Sequence, residues 1–258
     1  MSKSSRNRSN ARERVARMRA LEAQRGRRRR WLAGTGAVIV AAAAAVGITL
    51  AVAGGPHSAS ASSPGVKLAS LSTLGTLRAP PSPGPTGPEG VPIPTAAALA
   101  SPAASTAGQR IDGISCQTSE QTLFHIHAHL TIFVNGLPRQ IPAGIGIPRA
   151  RAQDTAQGPF ITSGTCFYWL HTHAADGIIH IESPVQRTYT LGDFFDEWGQ
   201  PLGRGQVGPA IGPVTAIYNG RLYLGSLRDI PLNAHAQIQL EIGRPLVAPT
   251  SITWPTGL

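Results

Sequence analysis

The chain has 258 residues, a formal net charge of +10, 22 Pro, 29 Gly and only 5% aromatic residues. This composition excludes one large globular core and implies a modest domain with non-globular segments beside it. Residues 1–30 hold 12 of the 23 Lys+Arg and two of the 13 acids. The rest of the chain is therefore neutral, and nucleic acid is not expected as a partner.

Residues 1–30 read as a basic cytoplasmic tail. Arg27 to Arg30 would lie against an anionic leaflet, where basic side chains are favoured. Residues 31–53, Trp31 to Ala53, contain no charged residue. As a helix they would span about 34 Å, enough for a hydrocarbon core of about 30 Å. The segment is expected to be a transmembrane signal-anchor helix. The positive-inside rule then places the domain that follows outside the cytoplasm. Two rival readings exist: Ala51-Val52-Ala53 fits a signal-peptidase site, and Arg29-Arg30-Trp31-Leu32 weakly resembles a twin-arginine signal. All three readings export residues 54 onward.

Residues 54–110 are rich in Pro, Ala, Ser and Gly and read as a disordered tether. His57 falls in it and is not expected in any site. Residues 111–243 read as the extracytoplasmic domain, and residues 244–258 as a C-terminal tail.

Within the domain, Thr122 to Val134 alternates cleanly. Phe124, Ile126, Ala128, Leu130 and Ile132 share one face, and His125, His127, His129 and Thr131 share the other. Asn135-Gly136 then signals a hairpin into Leu137 to Ile141. A second hairpin runs from Cys166 to His173 and returns through Ile178 to Ser183. A four-residue turn would set His171 opposite His180, whereas a two-residue turn would set His173 there. Thr190 to Trp198 reads as the one helix, capped by Thr190 with Asp193 and ended by Gly199 and Pro201. Asn219-Gly220 marks a third hairpin, and His235 to Ile242 is the last strand. The fold expected is mainly β, a compact antiparallel sandwich or barrel of about seven short strands with one short helix.

The histidines carry the chemistry. His125, His127 and His129 stand on one strand face, and His171, His173 and His180 share a face in either register. Imidazole is a preferred ligand of zinc and copper. An H-x-H on one strand with a third His on its antiparallel neighbour can hold an ion, as in α-carbonic anhydrases by geometric analogy alone. Glu182 falls on the same face and can fix an imidazole tautomer. His235, alone on its strand, is expected to be structural. On the helix, Asp193, Asp196 and Glu197 are expected in solvent, and Phe194, Phe195 and Trp198 in the core. Cys116 and Cys166 are expected to form a disulfide, against the alternative of two thiols or thiolate ligands. No phosphate loop or nucleophile motif stands out.

The segments His125-Ile126-His127-Ala128-His129-Leu130, Trp169-Leu170-His171-Thr172-His173, Gly177 to Pro184 and Phe194 to Gly199 resemble a family of uncharacterised exported bacterial and archaeal His-rich domains. The resemblance covers roughly residues 112–243 and implies a shared extracytoplasmic domain without an assigned reaction. Three functions fit these observations. The first is a membrane-anchored copper- or zinc-binding protein for capture, buffering or delivery. The second is a metalloenzyme with a His-ligated ion. The third is a cell-envelope module whose pH-sensitive His face meets a protein partner.

Overall fold

The computed structural model describes residues 66–102 and 108–258. The basic tail and the apolar segment 31–53 lie outside the described residues, as does His57. Among the described residues, no helix is long and apolar enough to cross a membrane.

The spine of the domain is β2 (Phe124–Val134), eleven residues long. Its alternating sequence lets one row of side chains enter the core while the other carries polar groups. Asn135 and Gly136 both have positive φ, 51° and 73°, which turns the chain tightly into β3 (Leu137–Arg139). That backbone twist suits a two-residue hairpin, and Asn-Gly adopts it at low cost.

On the other side of β2 lies β13 (Ala236–Ile242), and the pairing is parallel, from Ala236↔Ala128 to Ile242↔Val134. Beyond it, β11 (Val214–Tyr218) and β12 (Arg221–Tyr223) form the Asn219-Gly220 hairpin. At the outer edge β1 (Leu68–Ala69) pairs with β12. The N-terminal half of β2 pairs antiparallel with β7 (Ile178–Ser183), and β7 pairs with β6 (Leu170–His171). These eight strands make one mixed sheet in the order β1-β12-β11-β13-β2-β7-β6, with β3 beside β2. Two smaller sheets complete the described strands. One pairs β4 (Arg151–Thr155) with β5 (Gly158–Ser163), and the other joins β8 (Leu202–Gly203), β9 (Gln206–Val207) and β10 (Ala210–Ile211).

The domain is mainly β, with one short α-helix among the described residues. It departs from expectation in three ways. Among the described residues no sheet closes into a barrel, and the β13–β2 pair breaks the antiparallel pattern. The described residues form thirteen strands rather than about seven, because seven of them have only two or three residues. Strands that short carry too little periodicity to be read from sequence.

The third departure concerns the flanks. Over residues 66–102 the expected tether is laid along the domain: Leu68 pairs with Tyr223, Arg78 bridges Val247, Ala98 bridges Gln140, and Val91 and Leu99 are buried. Pro and Gly forbid a helix there but not an extended chain that borrows hydrogen bonds from an edge. Likewise, the expected C-terminal tail buries Leu246 and Val247, and Gln239 anchors it by accepting from the Thr250 backbone N–H at 2.8 Å.

Helix α1 (Leu191–Trp198) forms as its caps predict. Thr190 accepts from the Asp193 amide, Asp193 accepts from the Thr190 amide, and Gly199 closes the helix in the left-handed region. Phe194, Phe195 and Trp198 are fully buried in the main core. Glu197 is fully buried too, not in solvent as expected. Six of the eight helical residues are buried, so α1 has core on most of its circumference and little polar face. Leu170 and Ile181, paired across β6 and β7, belong to the same core. Their neighbours His171 and His180 therefore point to the other face of the sheet.

Candidate metal centre

The histidine face is organised by β7. His180 lies opposite His127 on β2 and opposite His171 on β6, so three imidazoles form a row across three neighbouring strands. One step along, Glu182 lies opposite His125. The His171↔His180 register is the one set by the four-residue turn. Gly177 makes that turn fit: at φ 88°, a Cβ there would lie 2.3 Å from the Leu130 carbonyl oxygen and 3.1 Å from His129 Nε2. Only glycine allows this close approach to β2.

The β6 pair is the best defined. His171 Nδ1 donates to the Tyr168 carbonyl at 2.8 Å, and His173 Nδ1 donates to the Ile161 carbonyl at 2.6 Å. A carbonyl only accepts, so each proton sits on Nδ1. The Phe160 ring stacks on His173 at 4.8 Å and fixes its plane. Burial and neighbouring positive groups push the His173 imidazole down to about 4, and hold His171 well below its usual range. Both rings are then neutral, and each Nε2 carries a bare lone pair. These two nitrogens face each other at 3.1 Å. Such a backbone-held tautomer is typical of metal-ligating histidines.

The second pair sits on β2. His125 Nε2 and His127 Nε2 are 3.0 Å apart, and His125 Nε2 is 3.1 Å from Glu182 Oε1. His127 is buried, while His125 opens to solvent at the rim. Burial, together with His180 and His125, pushes the His127 imidazole far down, to about 2.

His180 lies between two carboxylates. Its Nε2 is 2.7 Å from Glu89 Oε1, and its Nδ1 is 3.5 Å from Glu182 Oε1. Burial alone would strip its proton, but Glu89 and Glu182 outweigh burial and push it up to about 10. Burial would likewise raise Glu182, yet hydrogen bonds from His125 and His180 hold it well below the usual carboxylate range. The face therefore favours positive charge at its centre, as a proton or a metal ion. Glu120 stands at the rim, 3.5 Å from His173 Nε2, raised to about 7 by burial and by Glu182.

The donor atoms fall into two sets, each within 4.8 Å: His171, His173, His180 and Glu182, and His125, His127 and His180. Five of the six predicted histidines and Glu182 are thus brought together. His129 is not: its Nε2 bonds the Asp176 carbonyl at 3.0 Å. His235 stands apart as expected, stacked on Trp254 and bonded to the Leu258 carbonyl. Cys116 and Cys166 form a disulfide with Cα atoms 5.4 Å apart, which rules out thiolate ligation. The bridge Gln117↔Phe167 runs beside it and ties the segment before β2 to the segment entering β6.

Sequence reasoning missed Glu89, Glu120 and the β4–β5 hairpin that supplies Phe160 and the Ile161 carbonyl. Glu89 sits at the tip of a tight loop closed by Gly87 N–H to the Val91 carbonyl at 2.8 Å. The Pro-rich composition of this stretch carries no periodic signal that marks the loop. Comparison with family models, curated proteins and solved structures finds no match.

Proposed function

We propose that this chain is a membrane-anchored, extracytoplasmic protein that binds a transition-metal ion, copper or zinc, for capture, buffering or delivery. The observation that carries this reading is the pair of bare Nε2 lone pairs facing each other at 3.1 Å. Two such lone pairs repel unless a cation lies between them. Both nitrogens could ligate one ion, since 3.1 Å falls within the span of about 4.2 Å open to two ligands at about 2.0–2.1 Å. His180 and Glu182 complete a nitrogen-rich set of the kind that borderline ions prefer. A bound cation would supply the positive charge that Glu89 and Glu182 favour around His180.

The anchor and export follow from the basic tail, the uncharged 31–53 segment and the motif resemblance. A disulfide fits an oxidising compartment. Elemental analysis of the untagged full-length chain, purified in detergent, tests the metal. Stoichiometric copper or zinc is expected, and a metal-free chain that takes up neither ion overturns the reading. Protease added outside intact cells is expected to remove the domain and spare the tail; a protected domain overturns the topology.

One observation favours a metalloenzyme as second reading. Glu120 has a side chain 38% exposed and lies 3.5 Å from His173 Nε2, and in this reading it is the general base for an ion-bound water. X-ray absorption separates the two readings: a binder shows only protein ligands, an enzyme one water or exchangeable ligand.

A further inference from the structure

The six donor residues of the face do not form one set. Ligands of a single ion at about 2.0–2.1 Å lie at most about 4.2 Å apart. His125 and His127 join His180 in one set within 4.8 Å, and His171 and His173 join His180 and Glu182 in another, with no set containing both pairs. The topology explains the gap: β7 lies between β2 and β6, which puts the flanking strands about 9–10 Å apart. Each pair is internally close, at 3.0 Å and 3.1 Å between Nε2 atoms, so each can chelate on its own.

We infer that the face holds two ions, one on His171 and His173 and a second on His125 and His127, with Glu182 of the central strand between them. The inference rests on the metal-binding reading above and extends it. Glu182 is fitted to bridge. Its side chain is 5% exposed, its Oε1 is 3.1 Å from His125 Nε2, and its Oε2 is buried without a hydrogen-bond partner. An orphaned carboxylate oxygen inside a cluster of imidazoles is the donor an adjacent ion would use. His180 belongs to both sets and supplies a third nitrogen to one ion or the other. Two imidazoles with a carboxylate suit Zn²⁺ or Cu²⁺ and not Ca²⁺ or Mg²⁺, which take oxygen shells. The rim position of His125 gives the second ion its way in and makes it the more exchangeable of the two.

The test uses the full-length chain in detergent, saturated with Cu²⁺ and then dialysed. Elemental analysis is expected to give two copper ions per chain. Electron paramagnetic resonance is expected to show spin–spin coupling, or a signal smaller than the copper content. The His125→Ala/His127→Ala variant is expected to keep one copper with an uncoupled spectrum. One copper in the wild type overturns the two-ion centre and leaves the metal-binding reading standing. Two uncoupled coppers overturn it as well, because the sites would then be far apart. No retained copper, with the same result for Zn²⁺, overturns both. The wild-type count and spectrum decide the matter even if a variant fails to fold.

Discussion

Glu182 on β7 and Glu197 on α1 are both buried, at 4% and 0% exposure, in regions on either side of the strands β6 and β7. Glu182 has His125 and His180 within reach, and they hold it well below the usual carboxylate range against the effect of burial. Glu197 lies in the apolar core, and neither of its carboxylate oxygens has a hydrogen-bond partner. Burial holds its carboxyl well above the usual range, and Asp193 adds to this. The Leu170 backbone and the Arg187 charge oppose this without reversing it. The same side chain at the same depth is thus a charged member of a polar cluster in one region and a neutral acid in the other. What differs is the partners, because an unpaired buried charge costs far more than a paired one.

The largest effect expected from this contrast is on the histidine side. His171→Ala removes one of the two facing lone pairs and is expected to lower Zn²⁺ affinity by about 100-fold or more, beyond the ~10–100-fold cost of losing a supporting group. Calorimetric titration reads it, and an unchanged affinity would place the ion elsewhere. Glu182→Gln keeps shape but removes the charge that balances the imidazoles. The same titration is expected to show a loss of about 10–100-fold. If instead Glu182→Gln raised the affinity, the cluster would not be built around positive charge.

The legible part of this arrangement was the part encoded by local periodicity. His125 and His127 share a face because residues two apart in a strand always do. The α1 caps were readable because capping is a contact over three residues. Glu89 was not readable: it meets His180 across 91 positions, from a Pro-rich stretch whose composition gives no periodic signal. The β4–β5 hairpin escaped because all five β4 residues are exposed, so no apolar alternation marks it. Glu197 misled for the opposite reason. A glutamate beside Asp193 and Asp196 looks solvated by charge count, but only the packing of α1 decides which positions meet water. The convergence of two H-x-H pairs on β7 needed the strand order, which spacing along the chain does not contain.

A smaller effect is expected on the core side, and its sign is opposite. The Glu197 carboxyl is raised in the folded state, so folding binds its proton more tightly than unfolding does. Its favourable contribution is complete below the unfolded value of about 4.3 and is lost as pH rises toward the folded one. Glu197→Gln has no proton to lose. Its thermal midpoint is expected to match the wild type near pH 4 and to exceed it by a growing margin as pH rises above about 4.3, a few degrees for each roughly 1 kcal/mol. Glu241, raised to about 7 by burial, has the same sign but is present in both proteins and cancels from the difference. A variant less stable than wild type at pH 8 would mean that Glu197 is charged and paired in the fold, and the contrast with Glu182 would collapse.

The smallest effect is expected at His129, and it is the finest test of where the polar region ends. His129 continues the period-two row of His125 and His127, so sequence alone groups all three. In the fold it lies opposite Ile178, under the Gly177 turn, with Nε2 bonded to the Asp176 carbonyl at 3.0 Å. Burial pushes its imidazole down to about 4, so it is a neutral donor to a backbone group. It belongs to neither donor set. His129→Gln keeps an N–H that can reach the same carbonyl. Metal affinity is then expected to stay within about twofold, roughly 0.5 kcal/mol, the range of substitutions outside a site. Stability, read by denaturant unfolding of the same variant, is expected to fall more than affinity, because a packed ring is lost. The reverse pattern, with stability kept and affinity lost, would make His129 a ligand. That would require the turn at Gly177 to move, since the Nε2 already faces the Asp176 carbonyl rather than the other imidazoles.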